Sequence, residues 1–356
     1  NAPILDKKNH SSDMISIPHK QDEDDPAGPS PLIRNLGLNG DDKLTFSRRE
    51  ITSPDAAGHS GAKSKTIEFT VSRICKSPHI FHIQNLLSSA ECASLIQKGQ
   101  QLQQEKIMQM ASTTEGDVTQ IRSNCTVAWI PNDSGDIIQK STPTSSGNRI
   151  KSTSLQLELG RVVGNILLSD TAKASGWCEA LQLVHYSGGG RFDLHHDGFR
   201  RTVTVLYYLN GVGNTWFPFA ARGKNDDMGD GMRNDGSARL EVQNRDDALR
   251  LVEDMNLKPG RDGVLAAGRN SRVWDEIKED DKHGEWSERS KNIIQVQTGD
   301  AIAFFNYKSD ESGAVERDWN AIHAGLPTTS AEGEKWISNH WMHHEPYRKD
   351  WGMHQD

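Results

Sequence analysis

"EALQLVHYSGGGRFDLHHDG" (179–198) changes character twice within twenty residues. Its first part alternates apolar and polar side chains, the pattern of a half-buried strand. Three glycines then interrupt it, and two histidines and an aspartate follow. On a continuing strand, side chains two apart share a face, so His195 and Asp197 converge while His196 turns away. A His-x-Asp pair is weak by itself and is more often a solvated surface feature. Its meaning depends on a third ligand.

Downstream, the same period of two recurs in "RTVTVLYYLN" (201–210), "NIIQVQTGDAIAFF" (292–305) and "KWISNHWMHH" (335–344), separated by turn-forming residues. Upstream, "KTIEFTVS" (65–72) and "PHIFHIQNLL" (78–87) also read as strands. Two helices flank them. Ser88 and Glu91 make a capping box for "SSAECASLIQKGQQLQ" (88–103), with an apolar stripe at Cys92, Leu95, Ile96 and Leu102. In "TSLQLELGRVVGNILLSD" (153–170), Leu155, Leu159, Val162, Val163 and Ile166 recur at helical spacing. The fold class is mostly β with flanking helices: a sandwich or barrel with helical support.

Among fourteen histidines, His323 in "NAIHAGLP" follows one predicted strand and precedes another. Two histidines and one carboxylate on adjacent strands form the facial triad that binds ferrous iron and leaves three positions open. Zinc is the rival metal, but no four-ligand set accompanies these residues. Lys335 lies twelve residues beyond His323. A fixed ammonium inside a barrel pairs with the far carboxylate of a dicarboxylate whose other end chelates iron, which points to 2-oxoglutarate. Thr204 is expected to donate a hydroxyl to the same carboxylate, and Tyr186 a phenolic one nearer the metal.

Around this core, residues 1–65 read as a disordered leader, 66–345 as the catalytic domain and 346–356 as a tail. The domain is interrupted at about 220–291 by a polar insertion with its own helix at "DDALRLVEDMNL" (246–257). Its acidic "DDMGDGMRNDG" (226–236) is not a calcium loop, because placing Gly236 sixth puts Gly231 first and Arg233 third, where oxygen ligands are needed.

The 356-residue chain is 34% hydrophobic with net charge −8, which gives no general electrostatic reason for a nucleic-acid partner. No stretch approaches the roughly 20 apolar residues of a membrane span. The chain begins with Asn1, so it reads as a processed or truncated form. Asn9, Asn124 and Asn132 head glycosylation triplets compatible with a secretory history. Cys75, Cys92, Cys125 and Cys178 lie far apart without a CxxC pair and read as buried thiols, with disulfides as the alternative. Trp129, Trp216, Trp319, Trp336 and Trp341 divide between core positions and a groove for an extended polyproline chain.

Taken in order, "SPHIFHIQNLLSSAECASLI", "IRSNCTVAWI", "EALQLVHYSGGGRFDLHHD", "RTVTVLYYLN", "GDAIAFFNY", "IHAGLP" and "GEKWISNHWMH" resemble the catalytic region of prolyl 4-hydroxylases of the plant, algal and collagen type, from about 77 to 345. The resemblance implies a double-stranded β-helix, or jelly roll. It implies Fe(II) on His195, Asp197 and His323, and 2-oxoglutarate on Lys335, Thr204 and Tyr186. O2 and ascorbate complete the implied cofactors. The implied partner is a proline-containing peptide, touched by Arg201, His343, Trp341 and Arg122. The implied reaction hydroxylates peptidyl proline with release of succinate and CO2, in the secretory pathway or endoplasmic reticulum lumen. Two departures stand out: Phe192 replaces the family's usual tyrosine, and "GNTWFP" replaces "GGET.FP". A same-fold oxygenase acting on another side chain or a small molecule, and a non-catalytic peptide-binding jelly roll, are the alternatives. Oligomeric state stays open.

Overall fold

The computed structural model describes residues 27–38, 42–51, 65–110, 122–130, 155–169, 177–198, 200–220, 242–274, 292–309 and 314–343. Strands dominate: β1 (Lys43–Arg49), β2 (Thr66–Lys76), β3 (His79–Gln84), β4 (Gln109–Met110), β5 (Arg122–Ile130), β6 (Trp177–Cys178), β7 (Leu181–His195) and β8 (Arg201–Tyr208). They continue with β9 (Asn214–Phe217), β10 (Val264–Gly268), β11 (Ile293–Val296), β12 (Ala301–Phe305), β13 (Tyr307–Ser309), β14 (Val315–Arg317), β15 (His323–Leu326) and β16 (Lys335–His343). Helices α1 (Pro31–Arg34), α2 (Ser89–Gln104), α3 (Leu155–Leu167) and α4 (Arg245–Asp254) accompany them.

The main sheet runs β1-β2-β3-β12-β8-β16-β7-β15-β9-β10-β11. It curls because β7 belongs to both walls. Gln182–Tyr186 pair with Asn339–Lys335 of β16, whereas Phe192 and His195 pair with Gly325 and His323 of β15. The run at 188–190 makes the transfer between walls. A Cβ on Gly190 would lie 2.7 Å from the carbonyls of both Asn124 and Ser187, so the two strands close there only around a bare backbone. One wall is β7-β16-β8-β12 and the other β7-β15-β9-β10, the double-stranded β-helix that the sequence leads one to expect.

Strand alternation then separates two cores. Val203, Val205 and Tyr207 of β8, with Ala301, Ala303 and Phe305 of β12, face outward onto α2 and α3. Leu206, Tyr208, Ile302, Phe304 and Ile337 face inward between the walls, toward Phe217 and Ala266. The capping box forms as the sequence predicts, with Glu91 N bonding to Ser88 Oγ at 3.1 Å. The second helix also lies within its predicted range. All four cysteines are free and buried.

Two boundaries differ from expectation. Within the predicted leader, β1 pairs with β2 from Lys43↔Ser72 to Arg49↔Thr66. The reason is Arg48, which is buried against Glu91 (Nη1 to Oε1, 2.8 Å) and donates from Nε to the Leu86 carbonyl at 2.7 Å, fastening β1 to the start of α2. Composition hides this contact, since it joins a polar segment to a helix cap 43 residues away. Within the predicted insertion, α4 forms near its expected place, capped by Asn244. "VLAAG" of β10, however, is a buried strand of the barrel wall, antiparallel to β9 and parallel to β11. A five-residue apolar run between polar segments is too short to announce itself by periodicity. The acidic run 226–236, Asn9 and Asn132 lie outside the described residues.

Candidate active site

The end of β7 and the start of β15 are register partners, which sets His195 and His323 side by side with ring centroids 4.3 Å apart. Asp197 is not on the strand as parity assumes. β7 ends at His195, and the chain turns so that the carboxylate comes back between the rings. Asp197 Oδ1 is 3.6 Å from His195 Nε2, and Oδ2 is 3.9 Å from His323 Nε2. One ligand atom from each of the three residues lies within 4.8 Å of the others. His196 turns away as expected: its Nε2 meets the Asn306 carbonyl at 3.0 Å, and its Nδ1 accepts from Gly198 N.

The imidazoles are oriented by backbone. His195 Nδ1 meets the Asp193 carbonyl at 2.8 Å and His323 Nδ1 the Ala321 carbonyl at 3.0 Å. A carbonyl only accepts, so each Nδ1 carries the proton and each Nε2 keeps its lone pair facing the gap. Burial lowers both histidines below the usual imidazole range, His323 to about 4 with His195 beside it, so both are neutral at physiological pH. Burial works against the charge of Asp197, but in the acid range, where His323 and His195 are themselves protonated, their charge holds its carboxyl well below the usual range. Two neutral nitrogens and one carboxylate are the donor set of a divalent transition metal, and the residues fit it.

The triad opens into a pocket lined among others by Tyr186, Phe192, Thr204, Thr215, Phe304, Gly325, Lys335 and Asn339. Lys335 is 1% exposed and donates to the Asn214 carbonyl at 3.2 Å; no carboxylate lies within 4 Å of it among the described residues. Burial lowers its pKa to about 8. Its aliphatic stem lies on Gly213, where φ is +85° and a Cβ would come within 2.3 Å of Lys335 Cδ. Tyr186 is its register partner, with Nζ 5.2 Å from the phenol ring, and burial pushes that hydroxyl far up, leaving a neutral donor. A Cβ on Gly325 would sit 3.7 Å from the Tyr186 hydroxyl and 3.8 Å from Lys335 Nζ, so the missing side chain leaves space between the two. A buried ammonium, a neutral phenol and an empty space between them fit a carboxylate.

Thr204 lines the same pocket, and its hydroxyl, expected to donate to the carboxylate held by Lys335, here bonds to Asp197 Oδ2 at 2.5 Å. Strand parity places the side chain on the inner face but does not choose between neighbours there, and the returning Asp197 loop takes it. Thr215, in the "GNTWFP" segment, is the hydroxyl that sequence reading passed over. It is 2% exposed, lines the pocket, pairs with Gly325 across β15, and exchanges a hydrogen bond with Tyr208 at 2.8 Å. The signal was the threonine that this segment retains from "GGET.FP".

Arg201 and His343, the expected peptide contacts, both engage Glu179. Arg201 forms a two-pronged pair with Glu179, Nε to Oε1 at 2.8 Å and Nη2 to Oε2 at 3.0 Å, and its guanidinium lies 3.8 Å from the Trp341 ring centroid. His343 is fully buried with Nε2 2.8 Å from Glu179 Oε1. Glu179 sits just before β7, and nothing in its sequence surroundings marks it as the carboxylate that would engage both. Trp341 is buried against the half-exposed Trp129, centroids 5.4 Å apart. Arg122 covers Phe192 at 3.7 Å, and the Phe192 ring in turn stacks on His195 at 3.4 Å. Of the other tryptophans, Trp216 and Trp336 are buried outside the pocket, and Trp319 lies beside His196.

The curled antiparallel sheet thus brings two imidazoles and a carboxylate into one pocket with a buried ammonium. Residues 181–343 match the family model of the 2OG-Fe(II) oxygenase superfamily. The chain's curated relatives are prolyl 4-hydroxylases. The probable prolyl 4-hydroxylase 7 of Arabidopsis thaliana is 24% identical over 240 residues, covering 61% of this chain and 54% of the relative, so the chain spans about half the length of that protein. The transmembrane prolyl 4-hydroxylase of Mus musculus is 25% identical over 198 residues, covering 48% of this chain and 30% of its own length. Among solved structures, the viral collagen prolyl hydroxylase of Paramecium Bursaria Chlorella virus-1 is 17% identical with a TM-score of 0.35, covering 76% of this chain and 98% of that one. No helix of the described residues is long and apolar enough to cross a membrane.

Proposed function

We propose that this chain is an Fe(II)- and 2-oxoglutarate-dependent dioxygenase that hydroxylates peptidyl proline. The observation that carries the reading is the pairing, within one pocket, of the His195–Asp197–His323 cluster with a buried Lys335 that has no carboxylate partner among the described residues. An isolated buried charge is costly, and a bound dicarboxylate would offset it.

His195, Asp197 and His323 hold the metal. Lys335, with Tyr186 and Thr215, binds the distal carboxylate of 2-oxoglutarate. With dioxygen, this pair of cofactors supplies the oxidising power to place one oxygen atom on an unactivated carbon, while 2-oxoglutarate leaves as succinate and CO2. The inner wall of Phe192, Phe304 and Ile337 keeps water from the reacting centre. Ascorbate sustains repeated turnover, and the protein acts in the secretory pathway. The prolyl 4-hydroxylase relatives support proline as the target, as does the Trp129–Trp341 pair, an aromatic surface that suits a polyproline chain.

The test is succinate release with proline-rich peptides, with and without ascorbate, beside an Asp197→Ala variant whose fold is checked by circular dichroism. Turnover should fall to the assay floor in the variant, and mass spectrometry should place one added oxygen on proline in the wild type. An added oxygen on another residue would keep the oxygenase and remove the proline assignment. Full turnover in the Asp197→Ala variant would remove the site.

A further inference from the structure

Thr204 donates to Asp197 Oδ2 at 2.5 Å and receives a hydrogen bond from Asn306 Nδ2 at 2.9 Å. The direction of this chain is fixed. An amide nitrogen only donates, so Asn306 occupies a lone pair of Thr204 Oγ1 and turns its single proton toward the carboxylate. Asn306 is itself fully buried between β12 and β13 and tied on several sides. Its Nδ2 also bonds to the Arg201 carbonyl at 3.0 Å, its N–H to the Thr202 carbonyl at 2.9 Å, and its carbonyl accepts from Asp318 N at 2.9 Å. The Asn306 carbonyl meets His196 Nε2 as well, which pulls the histidine between His195 and Asp197 to the opposite side of the turn. One residue between two neighbouring strands thus fixes the loop that carries Asp197 and, through Thr204, the rotation of its carboxylate.

We infer that Asn306 and Thr204 form a positioning relay that occupies one oxygen of Asp197 and presents the other to the metal. The inference rests on the metal-site reading above. Asp197 then serves as a one-oxygen ligand, and the coordination position that a second carboxylate oxygen would fill stays open for cosubstrate. Partners of this kind outside the ligand set typically change metal affinity by about 10–100-fold when lost. Thr204 is a positioning residue in this scheme and has no direct contact with 2-oxoglutarate.

The experiment titrates Co(II) and Mn(II) into metal-free wild type and into Thr204→Val, Thr204→Ser and Asn306→Asp variants without any cosubstrate. Affinity is read by calorimetry and coordination number by the Co(II) absorption spectrum. Thr204→Val should bind about 10–100-fold more weakly with an altered Co(II) spectrum, and Thr204→Ser should restore both. Asn306→Asp replaces the donor with an acceptor, drawing the Thr204 proton away from Asp197, and should resemble Thr204→Val. If Thr204→Val does not fold, Asn306→Asp and Thr204→Ser carry the same contrast. Unchanged metal affinity and spectrum in Thr204→Val or Asn306→Asp would overturn the relay. Failure of the wild type to bind either metal would instead remove the metal-site reading beneath it.

Discussion

The two ends of the pocket are built differently. At the histidine end the polar atoms that set the geometry are partnered: both Nδ1 atoms meet carbonyls, Asp197 Oδ2 accepts from Thr204, and Asn306 backs the threonine. At the lysine end a cation is held at 1% exposure against one carbonyl at 3.2 Å, with no carboxylate within 4 Å of it among the described residues. The first end is organised before anything binds. The second carries an unfavourable buried charge that a ligand's carboxylate relieves, so binding energy there is spent on neutralisation.

This contrast breaks most sharply at Lys335. Lys335→Met keeps the stem on Gly213 and removes the charge. It should weaken 2-oxoglutarate by about 2–5 kcal/mol, leave Co(II) affinity unchanged, and raise the thermal midpoint of the ligand-free protein. A fall in metal affinity would show that the two ends are not separable. A smaller effect sharpens the comparison by pH. The folded pKa of Lys335, about 8, lies below the 10.5 of an exposed lysine, so between these values the unfolded chain holds more protons. Stability of the ligand-free protein should therefore rise as pH climbs from about 8 to 10.5, as urea midpoints would record. Cosubstrate affinity should move oppositely, falling as pH rises through 8, with proton uptake on binding seen by calorimetry in two buffers. The smallest effect is expected at Phe192→Tyr, which returns a hydroxyl at the family's usual position. Peptide KM should change by about 0.5–1.5 kcal/mol, with metal and 2-oxoglutarate affinities unmoved in the same assays.

The sequence shows the barrel strands and the donor set because each depends on local rules. Alternation reveals β7, β8, β12 and β16, and the capping box marks α2 to within a residue. The alternation shows the strand that ends at His195, but not that His323 opens a strand of its own beside it or that Asp197 returns on a turn. What fails is side-chain choice among neighbours in space. Thr204 faces inward as parity requires, yet the turn after His195 decides which partner it finds. Arg201 and His343 are engaged by Glu179, which lies on no segment that sequence order would bring to them. β1 and β10 escape notice for a related reason. Each is short and set in polar surroundings, and its order derives from contacts made elsewhere: Arg48 with Glu91 for one, β9 and β11 for the other.

β7 carries Tyr186 opposite Lys335 and His195 opposite His323, with the glycine run between them. The strand therefore acts as a ruler for the cavity. The gap between the ammonium and the metal ligands is written into the backbone instead of being adjusted by side-chain rotation. A keto-diacid one methylene shorter or longer would meet a rigid gauge. Adding a residue at 188–190 would recalibrate that gauge without touching a single liganding group.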